Sequence, residues 1–416
     1  MRPAGGSRSC PPTQSPVRFR ASIPGTVGPS SYLDHMRLLH TSDWHLGRTF
    51  HGQSLLADQE KVLGALADLA AEHQVDAVLI AGDLYDRAVP APEAVQCATR
   101  VLARIRAAGS SIVVISGNHD SAPRLGAFAD FLAAGGLHLR TAAAGVGTPV
   151  LLGDSAGPVA FYPVPYLEPD LARGTWELPA PASHQQVLTK ALEQARADLA
   201  DRPAGTRSVV LAHAFVVGAS PGGSERSIAV GGVESVTADV FDGFDYVALG
   251  HLHGAQVITD RIRYSGSPLP YAFSEAGQQK CAWLVDIDAD GAVGTRRLAL
   301  PTVRRLTTLR GTMAEILGLG TDLADAYLSV ELTDTTRPLD PMRRLREVYP
   351  HTLVAAWVPD VPSGPLANRR APIGHRADAL LVTDFVKDAR GTEPTVRERE
   401  LLQDALAAER LVERVR

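Results

Sequence analysis

Seven side chains of metal-binding type fall at intervals along the first two-thirds of the chain: Asp43 and His45, Asp83, Asn118, His213, then His251 and His253. Carboxylate, imidazole and one amide oxygen, with no thiolate, form a donor mix that suits hard-to-borderline divalent ions. Two such ions sharing a carboxylate keep open positions for water and a phosphate, so the expected chemistry is phosphoester hydrolysis. Asp83 is the candidate bridge, since one shared carboxylate holds two ions roughly 3.5–4 Å apart. His119, next to Asn118, is free to protonate a leaving oxygen or to stabilise charge on the phosphate, with Asp120 or Asp86 to orient it. Taken singly, a histidine at a strand end is more often a hydrogen-bonded structural residue than a ligand. The ordered series D-x-H, G-D-x-x-D, G-N-H-D, a lone His and then G-H-x-H carries the reading.

Such side chains need rigid elements behind them, and each cluster follows a strand-like run. Short apolar strands at 37–41, 75–81 (VDAVLIA) and 111–116 (SIVVIS) alternate with helical periodicities over 55–73 and 91–108. Further on, a helix is expected over 184–199 and strands over 208–212, 244–249, 261–265 and 281–287, the last three as parts of a second sheet. The alternation predicts an α/β fold, a two-sheet sandwich flanked by helices, in which ligands gather outside the carboxyl ends of the strands. The pattern changes near Pro301. Strands at 327–332 and 352–358 around a helix at 341–348 predict a small α+β cap, and beyond Pro359 a Pro/Gly-rich linker leads to helical stretches at 376–390 and 396–416. The expected domains are therefore 1–35, a disordered extension or a misplaced start; 36–300, the hydrolytic domain; 301–359, the cap; and 360–416, a linker and helical arm.

Composition narrows the class without naming a substrate. With 45% hydrophobic and 21% charged residues the chain is an ordinary globular one, long enough at 416 residues for two or three cores. A net charge of -5 means that any grip on a polyanion must come from a local patch, bound cations or a partner. The three cysteines, Cys10, Cys97 and Cys281, are scattered and odd in number, which argues for a reducing, cytoplasmic setting. No window approaches 18 apolar residues, so no membrane span is expected. Residues 1–35 are rich in Pro, Gly, Ser and Arg and lack the apolar stretch of a secretory signal.

The ordered motifs, in the wording DWHLGR, GDLYDR, GNHDS and GHLH, resemble the calcineurin-like metallophosphoesterase superfamily, and within it the nuclease subunits of bacterial DNA-end-processing complexes; the resemblance covers about 37–416. By matching positions it implies one metal on Asp43, His45, Asp83 and His253, a second on Asp83, Asn118, His213 and His251, and His119 as the catalytic histidine. It also implies two divalent ions, usually manganese (Mn2+). The activity implied is that of a DNA exonuclease and hairpin endonuclease for end processing, repair, recombination and replication. The implied assembly is a homodimer within a heterotetramer with an SbcC-like, SMC-type ATPase that gates access to DNA.

Other signals are weaker. Arg48, His51, Arg87 and Arg124 are candidate DNA contacts, though arginines beside an acidic metal site also serve as charge-balancing partners. Gly222-Gly223-Ser224 and Gly231-Gly232 form either a mobile substrate loop or a plain surface loop. Tyr271 and Phe273 either stack on a base or pack in the core, Gly266-Ser267-Pro268 reads as a structural turn, and His40, His73 and His138 default to core or surface. Apolar stripes in the terminal helices, Leu380, Leu381, Phe385 and Val386, then Leu401, Leu402, Leu406, Leu411 and Val412, pack on their own domain or dock on a partner helix or coiled coil. The competing function is a two-metal phosphatase or cyclic-nucleotide phosphodiesterase acting on small substrates. A cap and a docking arm favour the nuclease, since a small-substrate enzyme needs neither.

Overall fold

Alternate residues of each central strand face different cores, and that period of two builds the layers. In Ala77–Ala81, Val78 and Ile80 meet Val62, Leu63, Leu66 and Ala70 of the helix Leu56–Glu72, while Ala77 and Leu79 face inward with Val113 and Ile115. The inward set meets Val159, Phe161, Val209, Leu211, Tyr246 and Ala248 from a second sheet. That sheet's outer face, Tyr162, Val210 and Leu249 among others, is covered by Val187, Leu188, Ala191 and Leu192 of the helix His184–Ala200. Helix, sheet, sheet, helix is the result: an α/β sandwich. Leu63 and Leu66 have no solvent exposure, and truncating either to Ala costs about 2–5 kcal/mol.

The computed structural model describes residues 35–226, 235–359, 378–390 and 392–413. One six-stranded sheet runs Val293–Ala299, Cys281–Asp288, His35–Thr41, Ala77–Ala81, Ser111–Ile115, Leu137–Arg140. The other runs Gln256–Val257, Ile262–Tyr264, Tyr246–Gly250, Arg207–His213, Gly157–Val164, Val150–Asp154. The central strands of both sheets are parallel, so their carboxyl ends open on one side. Local chemistry sets the helix starts: a capping box between Ser183 and Gln186 opens His184–Ala200, and Pro92 sits in the first turn of Pro92–Ala107.

One sequence expectation fails here. Cys281–Asp288 does not extend the second sheet; it pairs antiparallel with His35–Thr41 in the first, Leu39 opposite Leu284. Placed there it covers an edge that His35–Thr41 would otherwise leave open, and Val293–Ala299 pairs on its far side.

After Pro301 three parallel strands, Leu306–Gly311, Tyr327–Leu332 and Thr352–Trp357, form a small sheet. Met313 and Ile316 of Met313–Leu317 pack with Leu328, Val330 and Leu332 and with Leu345 of Pro341–Val348. Neither the first of these strands nor the Met313–Leu317 helix was among the sequence expectations, although Thr312 and Glu315 form a capping box that marks where the helix starts. Tyr327 reaches the two-sheet sandwich, its hydroxyl donating to Asp58 at 3.1 Å. The terminal helices are Asp378–Arg390 and Val396–Glu413, with Leu380, Phe385, Val396 and Leu401 more than half exposed. Apart from His35, the expected 1–35 extension lies outside the described residues, as do the linker 360–377 and Gly231-Gly232. Among the described residues no helix is long and apolar enough to cross a membrane.

Candidate metal centre

The polar loops leave the carboxyl ends of five parallel strands and are tied to one another before any side chain is considered. The amides of Asp43, His45 and Leu46 donate to the carbonyls of Gly82, Asp83 and Leu84 at 3.1, 2.9 and 3.0 Å. Four residues of the expected ligand set lie in the left-handed region: Asp43 (φ 54°), His45 (φ 44°), Asp83 (φ 51°) and His251 (φ 102°). Each such conformation costs a side-chain-bearing residue about 1–2 kcal/mol, and it persists only where the surroundings over-determine it. Two glycines permit the crowding. A Cβ on Gly82, itself at φ 95°, would collide with the His213 ring, and one on Gly250 would collide with the Ala81 carbonyl.

The structure brings all seven side chains together. His45 Nε2 and His253 Nε2 are 3.0 Å apart. Asp83 Oδ2 lies 3.5 Å from His45 Nε2 and 3.6 Å from His213 Nε2, midway between two groups of ligands. Asn118 Oδ1 is 2.8 Å from His213 Nε2 and 3.3 Å from His251 Nδ1. Asp43 accepts the His251 amide at 3.0 and 3.2 Å and the Ser42 hydroxyl at 2.5 Å. Asp43 groups with His45 and His253, and Asp43 also with Asp83 and His213, at metal-binding separations. Six of the seven are buried and Asn118 is half-buried.

The electrostatics call for a cation. Burial first, and the neighbouring Asp83 second, push the Asp43 carboxyl well above the usual carboxylate range. Burial likewise lowers His45, His213 and His251, with neighbouring imidazoles adding to the effect. The rings are therefore neutral and carry lone pairs. His213 Nδ1 donates to the Ala81 carbonyl at 2.9 Å, so its bare Nε2 faces the Asn118 oxygen, an acceptor facing an acceptor. His45 Nδ1 and Asn118 Nδ2 are buried without a hydrogen-bond partner. Converging lone pairs beside two buried carboxylates fit divalent cations, and this His/Asp cluster suits two of them.

The supporting residues divide differently from expectation. Asp120 does not orient His119. Its carboxylate accepts the amides of Leu84, Tyr85 and Gly117 at 3.1, 2.9 and 2.9 Å, pinning two motif loops, and burial pushes its carboxyl up to about 7. Asp86 orients His119 through its backbone carbonyl, 2.9 Å from Nδ1; the carboxylate instead meets Arg48 at 3.2 Å and lies 3.6 Å from His45 Nδ1. The His119 ring stands edge-on to His45, centroids 4.6 Å apart.

Of the four candidate DNA contacts, Arg48 is engaged internally, bound to Asp86 and the Ser224 carbonyl and lying 4.8 Å over Tyr271; His51, Arg87 and Arg124 are exposed. Tyr271 is buried, donating to the Trp44 carbonyl at 2.6 Å, and so is no base-stacking platform; Phe273 packs on Phe50, 5.1 Å between centroids. Sequence reasoning missed Glu225, Glu275 and Lys280. Glu225 accepts the His253 amide at 3.0 Å and three amides of the 222–224 loop. Although burial works against it, nearby His253, 3.7 Å away, and the Lys280 ammonium hold the Glu275 carboxyl down to about 2. No spacing rule links these three to the motifs.

Two family models match the chain. Residues 36–255 match the family model described as calcineurin-like phosphoesterase. Residues 302–369 match the SbcD-type model described as Type 5 capsule protein repressor C-terminal domain. Among solved structures, TT1561 of Thermus thermophilus is similar at 13% identity and TM-score 0.37, over 63% of this chain and 99% of that one. A dimetal phosphatase from Danio rerio is similar at 12% identity and TM-score 0.33, over 62% of this chain and 98% of its own. A cold-active protein-tyrosine phosphatase of a psychrophilic Shewanella shows 13% identity and TM-score 0.25, over 65% and 82%. Matched over more than half its length, with the motif residues gathered at one centre, the chain belongs to the calcineurin-like phosphoesterase family and carries an SbcD-type domain behind it.

Proposed function

We propose that the chain is the nuclease subunit of a DNA-end-processing complex: a metal-dependent exonuclease and hairpin endonuclease that works as a homodimer with an SbcC-like, SMC-type ATPase. The observation that carries this reading is the pairing of a convergent His/Asp centre with an SbcD-type domain on one chain. Asp43, His45, Asp83 and His253 hold one divalent ion and Asp83, Asn118, His213 and His251 the other, manganese being the candidate for both. When bound, the pair supplies positive charge to the oxygens of a phosphodiester and a nucleophile near neutral pH.

The chain's own groups do the rest. Asp83, between His45 and His213, is placed to be shared. His119 donates its Nδ1–H to the Asp86 carbonyl, so the proton it gives to a leaving oxygen comes from Nε2 of the imidazolium form, which leaves the ring neutral with Nδ1 still protonated. Asp43, pinned by the His251 amide and Ser42, ties the first loop to the last. Exposed Arg87, in the second motif loop, and Arg124, in the short helix Ala122–Leu125 after the third motif, offer guanidinium groups to DNA phosphates. Local charge of this kind is required because the chain as a whole is anionic, at -5.

End-labelled hairpin DNA incubated with the full-length chain and manganese tests the reading, beside bis(p-nitrophenyl) phosphate and a cyclic nucleotide. Hairpin opening that stops in excess chelator is the expected result. Turnover of the small substrates alone would replace it with the phosphatase or cyclic-nucleotide phosphodiesterase reading.

A further inference from the structure

A neutral imidazole ligates through whichever nitrogen lacks the proton, so a metal-ligand histidine needs its tautomer fixed from behind. His213 gets this from a backbone carbonyl. His253 has no such carbonyl; its Nδ1 meets the Ser224 hydroxyl, and that hydroxyl in turn meets Glu275 Oε1. Glu275 has no solvent exposure and is fixed by the Lys280 ammonium at 2.6 Å and the Tyr271 amide at 3.2 Å, both on Oε2. Lys280 is locked as well, its three protons shared among Glu275 and three further acceptors in reach, the His253 carbonyl at 2.8 Å, Gln278 Oε1 at 2.9 Å and Ser267 Oγ at 3.1 Å.

Proton accounting gives the relay one direction. A carboxylate paired with an ammonium only accepts. Ser224 therefore spends its single proton on Glu275 and keeps only lone pairs for His253. Nδ1 of His253 must then be the N–H, leaving Nε2 bare, and Nε2 is the atom that stands 3.0 Å from His45 Nε2. We propose that Ser224 and Glu275, clamped by Lys280, are positioning residues that fix His253 in its metal-ligating tautomer and so set the affinity of the first ion site. This rests on the assignment of His253 as a ligand made above. It also gives the 222–224 loop a role other than substrate contact: the loop delivers Ser224, and Glu225 holds it in place through its amides.

The test has two independent readouts on the full-length chain. With histidine-selective 15N labelling in excess chelator, the side-chain nitrogens of wild-type His253 should show Nδ1 protonated and Nε2 bare. Ser224→Ala should shift His253 toward a mixture of tautomers, and Ser224→Thr, which keeps the hydroxyl, should restore the wild-type pattern. Titration calorimetry with manganese should show one of the two sites weakened roughly 10–100-fold in Ser224→Ala, the melting temperature in chelator being unchanged. Wild-type His253 protonated on Nε2, or a Ser224→Ala protein with wild-type tautomer and affinity, overturns the relay. If wild type takes up no divalent ion, the ligand assignment falls instead, and the nitrogen shifts still decide the relay.

Discussion

His119 is the residue whose role separates most cleanly from the metal centre. Its ring is held by the Asp86 carbonyl and it contributes no atom to the proposed ligand set. His119→Ala should therefore keep both ions by elemental analysis while slowing DNA cleavage roughly 10²–10⁴-fold, the usual worth of a general acid. Loss of an ion would make the residue structural. At this scale the seven ligand candidates were legible because motif spacing is local and the donor types are few. What lay behind them was not. Ser224, Glu275 and Lys280 reach His253 only through folding, and Asp120 looks like a catalytic partner of its neighbour until its three backbone amides are seen.

Among the elements, buried strands and amphipathic helices read well because each carries its own periodicity; Tyr327–Leu332 and Pro341–Val348 fall where the pattern put them. Sheet membership did not, since Cys281–Asp288 alternates equally well beside either sheet and only non-local pairing decides. Arg207 bridges the two sheets. Arg207, 2% exposed, binds Asp154 at 2.6 and 2.8 Å within the second sheet and the Ile287 carbonyl of the first at 3.3 Å. Asp154→Asn should cost about 3 kcal/mol in urea unfolding at pH 7, since it strands a buried guanidinium. The hydrogen bond to Arg207 holds the Asp154 carboxyl below its ordinary value. Its stabilisation is thus complete above that ordinary value and lost as pH falls through the folded one. The deficit of the variant should accordingly hold constant down to about pH 4, the ordinary carboxylate value, and shrink only as pH is lowered further. A pH-independent deficit would assign the effect to packing.

For the whole molecule, we propose that the two terminal helices form an arm that meets the ATPase. Leu380 and Phe385 on one terminal helix and Val396 and Leu401 on the other are open to solvent, and exposed apolar faces of this kind mark interaction surfaces. Deleting 376–416 should leave metal content and chelator-sensitive cleavage within about twofold, because no ligand candidate lies there, while abolishing co-purification with an SMC-type ATPase from the same cell. Unfolding of the truncated chain would return the helices to the core. Retained capture would move the docking site elsewhere.

The left-handed backbone at Asp43, His45, Asp83 and His251 has a consequence for directed evolution. Four strained residues, two of them buried acids side by side, make the centre a place where the empty protein gains stability by giving up its ligands. Asp43→Asn keeps a side chain tolerant of that conformation and removes one of the two neighbouring buried carboxylates. It should raise the melting temperature in chelator, by about 2–4 °C for each kcal/mol relieved, while one ion is lost. A library sorted for heat resistance alone would therefore discard the metal centre before it touched the sandwich, and the most robust survivors would be the least active.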